Sequence, residues 1–202
     1  MKDMIKITLS LVVIFIAAGF IMGGTFKMTS PVKYVAEQKE KREALKAMAP
    51  EADENDIKEV GKWTSHEKQY DYYDAKAGGK TVAYIASTAG KGYSSYIKIL
   101  VSIDKDLKVK NLKVLSHQET PGLGDQILEA PFLEQFKGKA LTQIVLVKTE
   151  TTEKIQAISG ATISSRAVTN GVKDAVQMLV DKYGSSVSSA AGAKGHEGSH
   201  NK

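Results

Sequence analysis

The sequence predicts an α+β domain, an antiparallel sheet flanked by helices, behind a single N-terminal transmembrane helix. Three observations carry this. Residues 7–26 form an apolar run without a charge. The middle of the chain alternates apolar and polar residues at strand period: Val82, Tyr84 and Ala86, then Ile97, Ile99, Val101 and Ile103 with Lys98 and Ser102 opposite. Near the C-terminus Val168, Val172, Ala175, Val176, Leu179 and Tyr183 recur at helical spacing. Strands framed by helices without βαβ regularity define the class.

Composition bounds the rest. The 202 residues allow one domain of about 150 residues plus an anchor or tail. Apolar residues make up 42% and charged residues 25%, which excludes a disordered chain and a polytopic transporter. The 28 Lys and Arg exceed the 23 Asp and Glu by a margin spread along the chain, which favours solubility and argues against nucleic acid as a partner. Cysteine is absent, so disulfides, thiolate zinc sites, iron–sulfur ligation and a Cys nucleophile are excluded. Of His66, His117, His196 and His200, the last two lie in a Gly/Ser/Ala-rich tail and form no i,i+4 pair on a helix, and neither a metal site nor a catalytic residue is assigned.

Taken in order, residues 1–6 are a short N-terminal segment and 7–26 the anchor. Twenty helical residues span about 30 Å, the thickness of a hydrocarbon core. A cleaved signal peptide fits less well, because apolar residues continue past Ala17, Ala18 and Gly19 to Phe26. Orientation stays open on charge alone. Lys2 and Lys6 precede the anchor; Lys27, Lys33, Lys39, Lys41, Arg42 and Lys46 follow it, yet long domains cross largely regardless of such charges. Residues 27–50 read as a helical stalk, its helix over 31–49 opened by Ser30 and Pro31 and stopped by Pro50. The apolar stripe of Tyr34, Val35, Leu45 and Ala49 is thin, which suits a solvated spacer. The folded domain covers 51–184. Within it 96–116 is an antiparallel hairpin turning at Asp104, Lys105 and Asp106; 143–148 is a short strand; 126–136 is helical; 163–183 is the main helix. The Gly/Ser/Ala-rich tail, 185–202, is expected to be disordered.

Three glycine-containing segments are candidates for chemistry. Ala89-Gly90-Lys91-Gly92-Tyr93 lies between two strands and reads as a hairpin loop; it lacks the dinucleotide fingerprint. His117-Gln118-Glu119-Thr120-Pro121-Gly122-Leu123-Gly124-Asp125 carries a Pro-Gly turn. It is either that turn alone or a loop approaching a planar ligand, with Glu119 and Thr120 as polar contacts and Leu123 against the ring. Ser159-Gly160-Ala161-Thr162-Ile163-Ser164 opens the main helix, whose free N–H groups and dipole suit a phosphate. The same residues also suit an ordinary capped helix start.

Together these segments resemble the covalent FMN-binding domain family. Ser159-Gly160-Ala161-Thr162 resembles its flavinylation motif, and Glu119-Thr120-Pro121-Gly122-Leu123-Gly124 and Gly90-Lys91-Gly92-Tyr93 resemble its flavin-cradling segments. With its anchor, the chain is similar over 1–183 to the G subunits of Rnf ion-translocating electron-transport complexes. The C subunit of the sodium-pumping NADH:quinone reductase shares the domain, and that enzyme is the alternative host; an anchored non-enzymatic ligand-binding module is the other reading. The resemblance implies FMN joined through its phosphate to Thr162, with Ser159, Gly160, Ala161, Ser164, Glu119, Thr120, Gly122, Leu123, Gly124 and Tyr93 around it. It implies a redox carrier that is not itself the site of hydride transfer, in a complex coupling ferredoxin and NAD to Na⁺ or H⁺ movement. It also implies neighbouring membrane subunits, a flavin transferase as maturation partner, and a single-pass inner-membrane protein with a cytoplasmic N-terminus and an extracytoplasmic domain. One position departs: Gln156 stands where the motif often has an acid.

Overall fold

The computed structural model describes residues 2–192. They form two compact units, 1–43 and 44–202 in chain limits. The first is helical throughout, as the opening part of α1 (Lys2–Met48). Its stretch Met4–Lys27 has a mean hydropathy of 2.4 and none of it is buried, so it is long and apolar enough to cross a membrane. Thr8, Ser10 and Thr25 turn their hydroxyls onto carbonyls four residues back, which hides their polarity within the helix. The sequence predicts a second helix opening at Ser30 and Pro31; instead α1 passes through both without a break. A proline forfeits the bond of its own missing N–H, and the turns on either side keep theirs.

The second unit is built on a five-stranded antiparallel meander in chain order. Its strands are β1 (Ile57–Ser65), β2 (Lys68–Ala77), β3 (Lys80–Lys91), β4 (Tyr96–Ile103) and β5 (Val109–Ser116). The expected hairpin over 96–116 is present as the β4–β5 pair. The β1–β2 turn is made by His66 and Glu67, both at positive φ (49° and 63°), which matches the twist of a two-residue hairpin.

Both sheet faces are covered, so β4 is buried on two sides. Ile97, Ile99, Val101 and Ile103 meet α3 (Thr162–Gly192) through Val168, Val172, Val176 and Leu179, all inaccessible to solvent. Leu100 and Ser102 face the other way, where the sequence reading places polar residues. They are covered by the end of α1 and the turn that follows it: Ala44 and Met48, with Ala49 and Ala52, pack on Tyr73, Ile85 and Leu100. The compact unit therefore begins at Ala44 rather than at residue 51, and the end of the expected stalk is core. The orphan carbonyl of Met48 explains the buried Ser102. It accepts from Ser102 Oγ at 2.9 Å and from Asn111 Nδ2 at 3.1 Å, so the sheet caps the helix.

Between β5 and α3 the chain is mostly irregular. The expected helix over 126–136 is broken into 3₁₀ turns at Gly124–Leu128 and Glu134–Phe136 around the short α2 (Ala130–Leu133). Pro131, at the start of α2, supplies no N–H to continue from the turn before it. The strand expected over 143–148 shrinks to β6 (Leu146–Val147), paired in parallel with β7 (Ile155–Gln156). At the other end, α3 continues through residues 185–192, where a disordered tail is expected. A helix already nucleated propagates at one bond per residue, and alanines favour it. The remainder of that tail, 193–202, with His196 and His200, lies outside the described residues.

Two further contacts help to seat α3 on the sheet. At its N-terminal end Gly90 of β3 abuts the Ala167 main chain so closely that a Cβ would lie 1.9 Å from the Ala167 carbonyl oxygen. Farther along the helix, Tyr183 stacks on Tyr84 at 3.9 Å and donates to Asp74 at 2.7 Å.

Candidate functional site

The site is a cavity of about 410 Å³ where three segments converge on the start of α3. Tyr93 comes from the β3–β4 turn; Glu119, Thr120, Leu123 and Gly124 come from the loop after β5; Gly160, Ala161, Thr162, Ile163 and Ser164 come from the head of α3. The volume is within the usual range for small-molecule sites, about 300–1,000 Å³. All three glycine segments singled out in the sequence thus meet at one place. Ser159 is exposed on the turn just before the helix, and Gly122 is exposed at the corner of the loop.

Local chemistry shapes each wall. In the loop, Pro121 and Gly122 form a turn with Gly122 at φ +74°, and the Thr120 carbonyl accepts from Leu123 N at 3.2 Å and Gly124 N at 2.9 Å. His117 Nδ1 accepts the Glu119 N–H at 3.2 Å and steadies the approach to the turn. At the helix head, Gly160 takes φ +80°, and a Cβ there would come 2.9 Å from the Leu123 methyl. Ser165 is fully buried; its hydroxyl donates to Ala161 O at 2.9 Å and accepts the Ile158 N–H at 3.1 Å. Behind them the Gln135 carboxamide oxygen accepts the Gln156 N–H at 2.7 Å, so Gln156 is fixed through its backbone.

The segment expected as a loop, 89–93, is mostly strand. β3 runs to Lys91, and only Gly92 to Ser95 turn, closed by Gly92 N donating to Ser95 O at 2.8 Å. The pairing of Lys91 with Tyr96 carries the ladder up to the turn, and Gly90 lets the helix pack against β3 just before it.

Glu119 joins all three walls. It is 5% exposed. Its carboxylate accepts the Tyr93 and Ser94 N–H groups at 3.1 Å each and the Ser164 hydroxyl. Burial pushes the carboxyl up, but hydrogen bonds from Ser164 and from the N–H groups of Tyr93, Ser94 and Ser95 outweigh it and hold the group below its ordinary value. The carboxylate is therefore committed to the protein, whereas the sequence reading has it contact a ligand. Gly92 and Gly124 make room for it: a Cβ on Gly92 would lie 2.5 Å from Glu119 Oε1, and one on Gly124 would lie 2.8 Å from Glu119 Cβ.

Thr162 is half-buried and opens α3. The N–H groups of Thr162, Ile163 and Ser164 have no carbonyl one turn earlier within the helix to bond. The cavity thus combines a hydroxyl and helix-start donors at its floor with an apolar rim. Tyr93 is 73% exposed, Leu123 45% and Ile163 48%. Ile163 is a lining residue that the sequence reading does not single out; its place immediately after Thr162 is the available signal.

The FMN-binding domain family matches residues 92–177. The chain is 35% identical over 179 residues to the G subunit of the proton-translocating ferredoxin:NAD(+) oxidoreductase complex of Clostridium ljungdahlii, covering 88% of this chain and 92% of that protein. It is 36% identical over 117 residues to the G subunit of the Na(+)-translocating ferredoxin:NAD(+) oxidoreductase complex of Acetobacterium woodii, covering 55% of this chain and 56% of that one. Among solved structures, the C subunit of the Na(+)-translocating NADH-quinone reductase of Parabacteroides distasonis aligns with a TM-score of 0.47 at 29% identity, over 58% of this chain and 62% of that chain. The chain belongs to the family of G subunits of ion-translocating oxidoreductase complexes.

Proposed function

We propose that this chain is a membrane-anchored electron-transfer subunit that holds FMN through a phosphate ester on Thr162. It serves a complex that couples electron transfer between ferredoxin and NAD to Na⁺ or H⁺ translocation. The observation that carries the reading is the convergence of Thr162, the 119–124 loop and Tyr93 on one cavity.

The donor set supports FMN. Helix-start N–H groups and the positive end of the α3 dipole suit a phosphate, at about 0.3–1 kcal/mol where exposed. Leu123, Tyr93 and Ile163 offer apolar surface to a planar ring, and Gly160 carries no side chain that would crowd Leu123. Bound flavin supplies one- and two-electron redox chemistry; the chain supplies position and electrostatics. Thr162 tethers the phosphate end and Leu123 packs on the ring. Thr120, exposed beside the cavity, hydrogen-bonds polar groups of the cofactor. An ester at the phosphate is remote from the ring, so it retains the cofactor without altering its electronics.

On this reading Met4–Lys27, long and apolar enough to cross a membrane, anchors the chain in the inner membrane with the N-terminus in the cytoplasm and the domain outside it. There a tether prevents loss of a cofactor that is scarce in free form. Attachment requires a flavin transferase acting on the exposed turn at Ser159 and Gly160.

The test is intact mass and visible absorbance of the full chain co-produced with a flavin transferase, beside Thr162→Ala. The expected result is a yellow protein heavier by one FMN residue and a colourless, unmodified variant. A wild type of unmodified mass, made by a transferase active on another target, sinks the covalent assignment and directs attention to Gln156.

A further inference from the structure

The head of α3 holds several hydroxyls chemically able to accept a phosphoryl group, and their surroundings differ. Ser165 is fully buried, with its oxygen both donating and accepting. Ser159 is exposed on the preceding turn. Thr162 and Ser164 both line the cavity. Ser164 is only 3% exposed, and its hydroxyl donates to Oε2 of Glu119. The same oxygen accepts the Tyr93 N–H, and Oε1 accepts the Ser94 N–H, both at 3.1 Å. Glu119 thus turns one of the two hydroxyls that the head of α3 brings to the cavity into the wall.

We propose that Glu119 selects the modified hydroxyl: by holding Ser164 against the β3–β4 turn it leaves Thr162 as the acceptor. The inference rests on the covalent-FMN reading. The step is a phosphoryl transfer without net redox change. The Thr162 oxygen bonds the flavin-side phosphorus of a flavin dinucleotide, the pyrophosphate P–O bond breaks, AMP leaves with the bonding electrons, and the hydroxyl proton passes to solvent. An oxygen that is packed into the wall, with its proton directed at Glu119, has no open line to that phosphorus. Thr162, at the first position of the helix, meets the phosphate beside the free N–H groups that stabilise its charge.

A carboxylate hydrogen-bonded to a serine can also act as its base. Were Ser164 the nucleophile, flavin would map to Ser164 in the unaltered chain, and that result overturns the proposal. The experiment is peptide mapping by mass spectrometry of the full-length, membrane-inserted protein co-produced with a flavin transferase, as wild type, T162A, E119A and T162A/E119A. Folding is followed by the fluorescence of Trp63, the single tryptophan. The expected pattern is Thr162 alone in the wild type, both sites in E119A, and none in T162A. In T162A/E119A flavin is expected on Ser164 at least about tenfold above T162A. A folded T162A/E119A with no more flavin than T162A refutes selection by Glu119.

If E119A is recovered unfolded, E119M is read in its place. It nearly keeps the volume but offers no oxygen to the Ser164 hydroxyl. If neither variant folds, the carboxylate belongs to the fold and the proposal fails. Absence of covalent flavin from the wild type, with the transferase loading a control target, instead marks failure of the underlying reading.

Discussion

Replacing Gly90 by alanine drives a methyl carbon into the main chain of α3. The new Cβ would lie 1.9 Å from the Ala167 carbonyl oxygen, 2.5 Å from its carbon and 2.9 Å from Cα. To recover an ordinary 3.4 Å contact the helix must withdraw by about 1.5 Å. No rotamer relieves this, because the obstacle is backbone. Overpacking in a core costs about 1–3 kcal/mol, and a main-chain clash belongs at the upper end. At about 2–4 °C per kcal/mol for a domain of this size, the melting temperature falls by about 6–12 °C. Because Thr162 opens the displaced helix, flavin loading falls as well. Gly171→Ala is the control across the same contact. Its Cβ would meet the tip of Ile99 at 3.1 Å and Gly90 N at 3.3 Å. The Ile99 methyl can give way, and alanine gains about 0.8–1.0 kcal/mol over glycine in a helix. The net change is expected within about 1 kcal/mol. Thermal unfolding followed through Trp63 reads the domain and not the anchor, since its indole donates to Ser87 O at 3.0 Å within the sheet. A G90A melting temperature within measurement error of wild type, or a larger drop for G171A, refutes the packing argument.

Two further outcomes follow from the burial of polar groups. Ser102→Ala removes the hydroxyl that donates to Met48 O and accepts the Asn111 N–H at 3.2 Å, so stability is expected to fall by about 1–3 kcal/mol in chemical denaturation. An unchanged midpoint sinks the capping role assigned to the sheet. Glu119, with its folded carboxyl held below the ordinary value, contributes stability that is complete above the unfolded value of about 4.3. That contribution is expected to decline as pH falls through the folded value, and Glu119→Gln to flatten this part of the acid limb. An acid limb identical in both proteins refutes the linkage.

Much of the site is legible in the sequence because its signals are local. Pro121-Gly122 and Gly160 mark turns through their own backbone preferences, and the period of Val168, Val172 and Val176 marks the helix that Thr162 opens. The β4–β5 hairpin is legible for the same reason: alternation and a turn are contiguous in sequence. By contrast β1 and β2 escape a sequence reading, because His66 and Glu67 give no ordinary hairpin signal and β1 is too exposed to alternate strongly. Gly78 and Gly79, both at positive φ, are the available sign of the β2–β3 turn.

The sequence by itself determined the apolar helix, the α+β class, the three candidate segments and the hydroxyl at the head of α3, since each is written in neighbouring residues. Only the tertiary structure decided what covers the second face of the sheet, why Ser102 is buried, and what Glu119 does. Met48 and Ser102 are 54 positions apart, and Glu119 and Ser164 are 45 apart. A buried polar group must find its partner wherever packing brings one, and no local pattern encodes that choice.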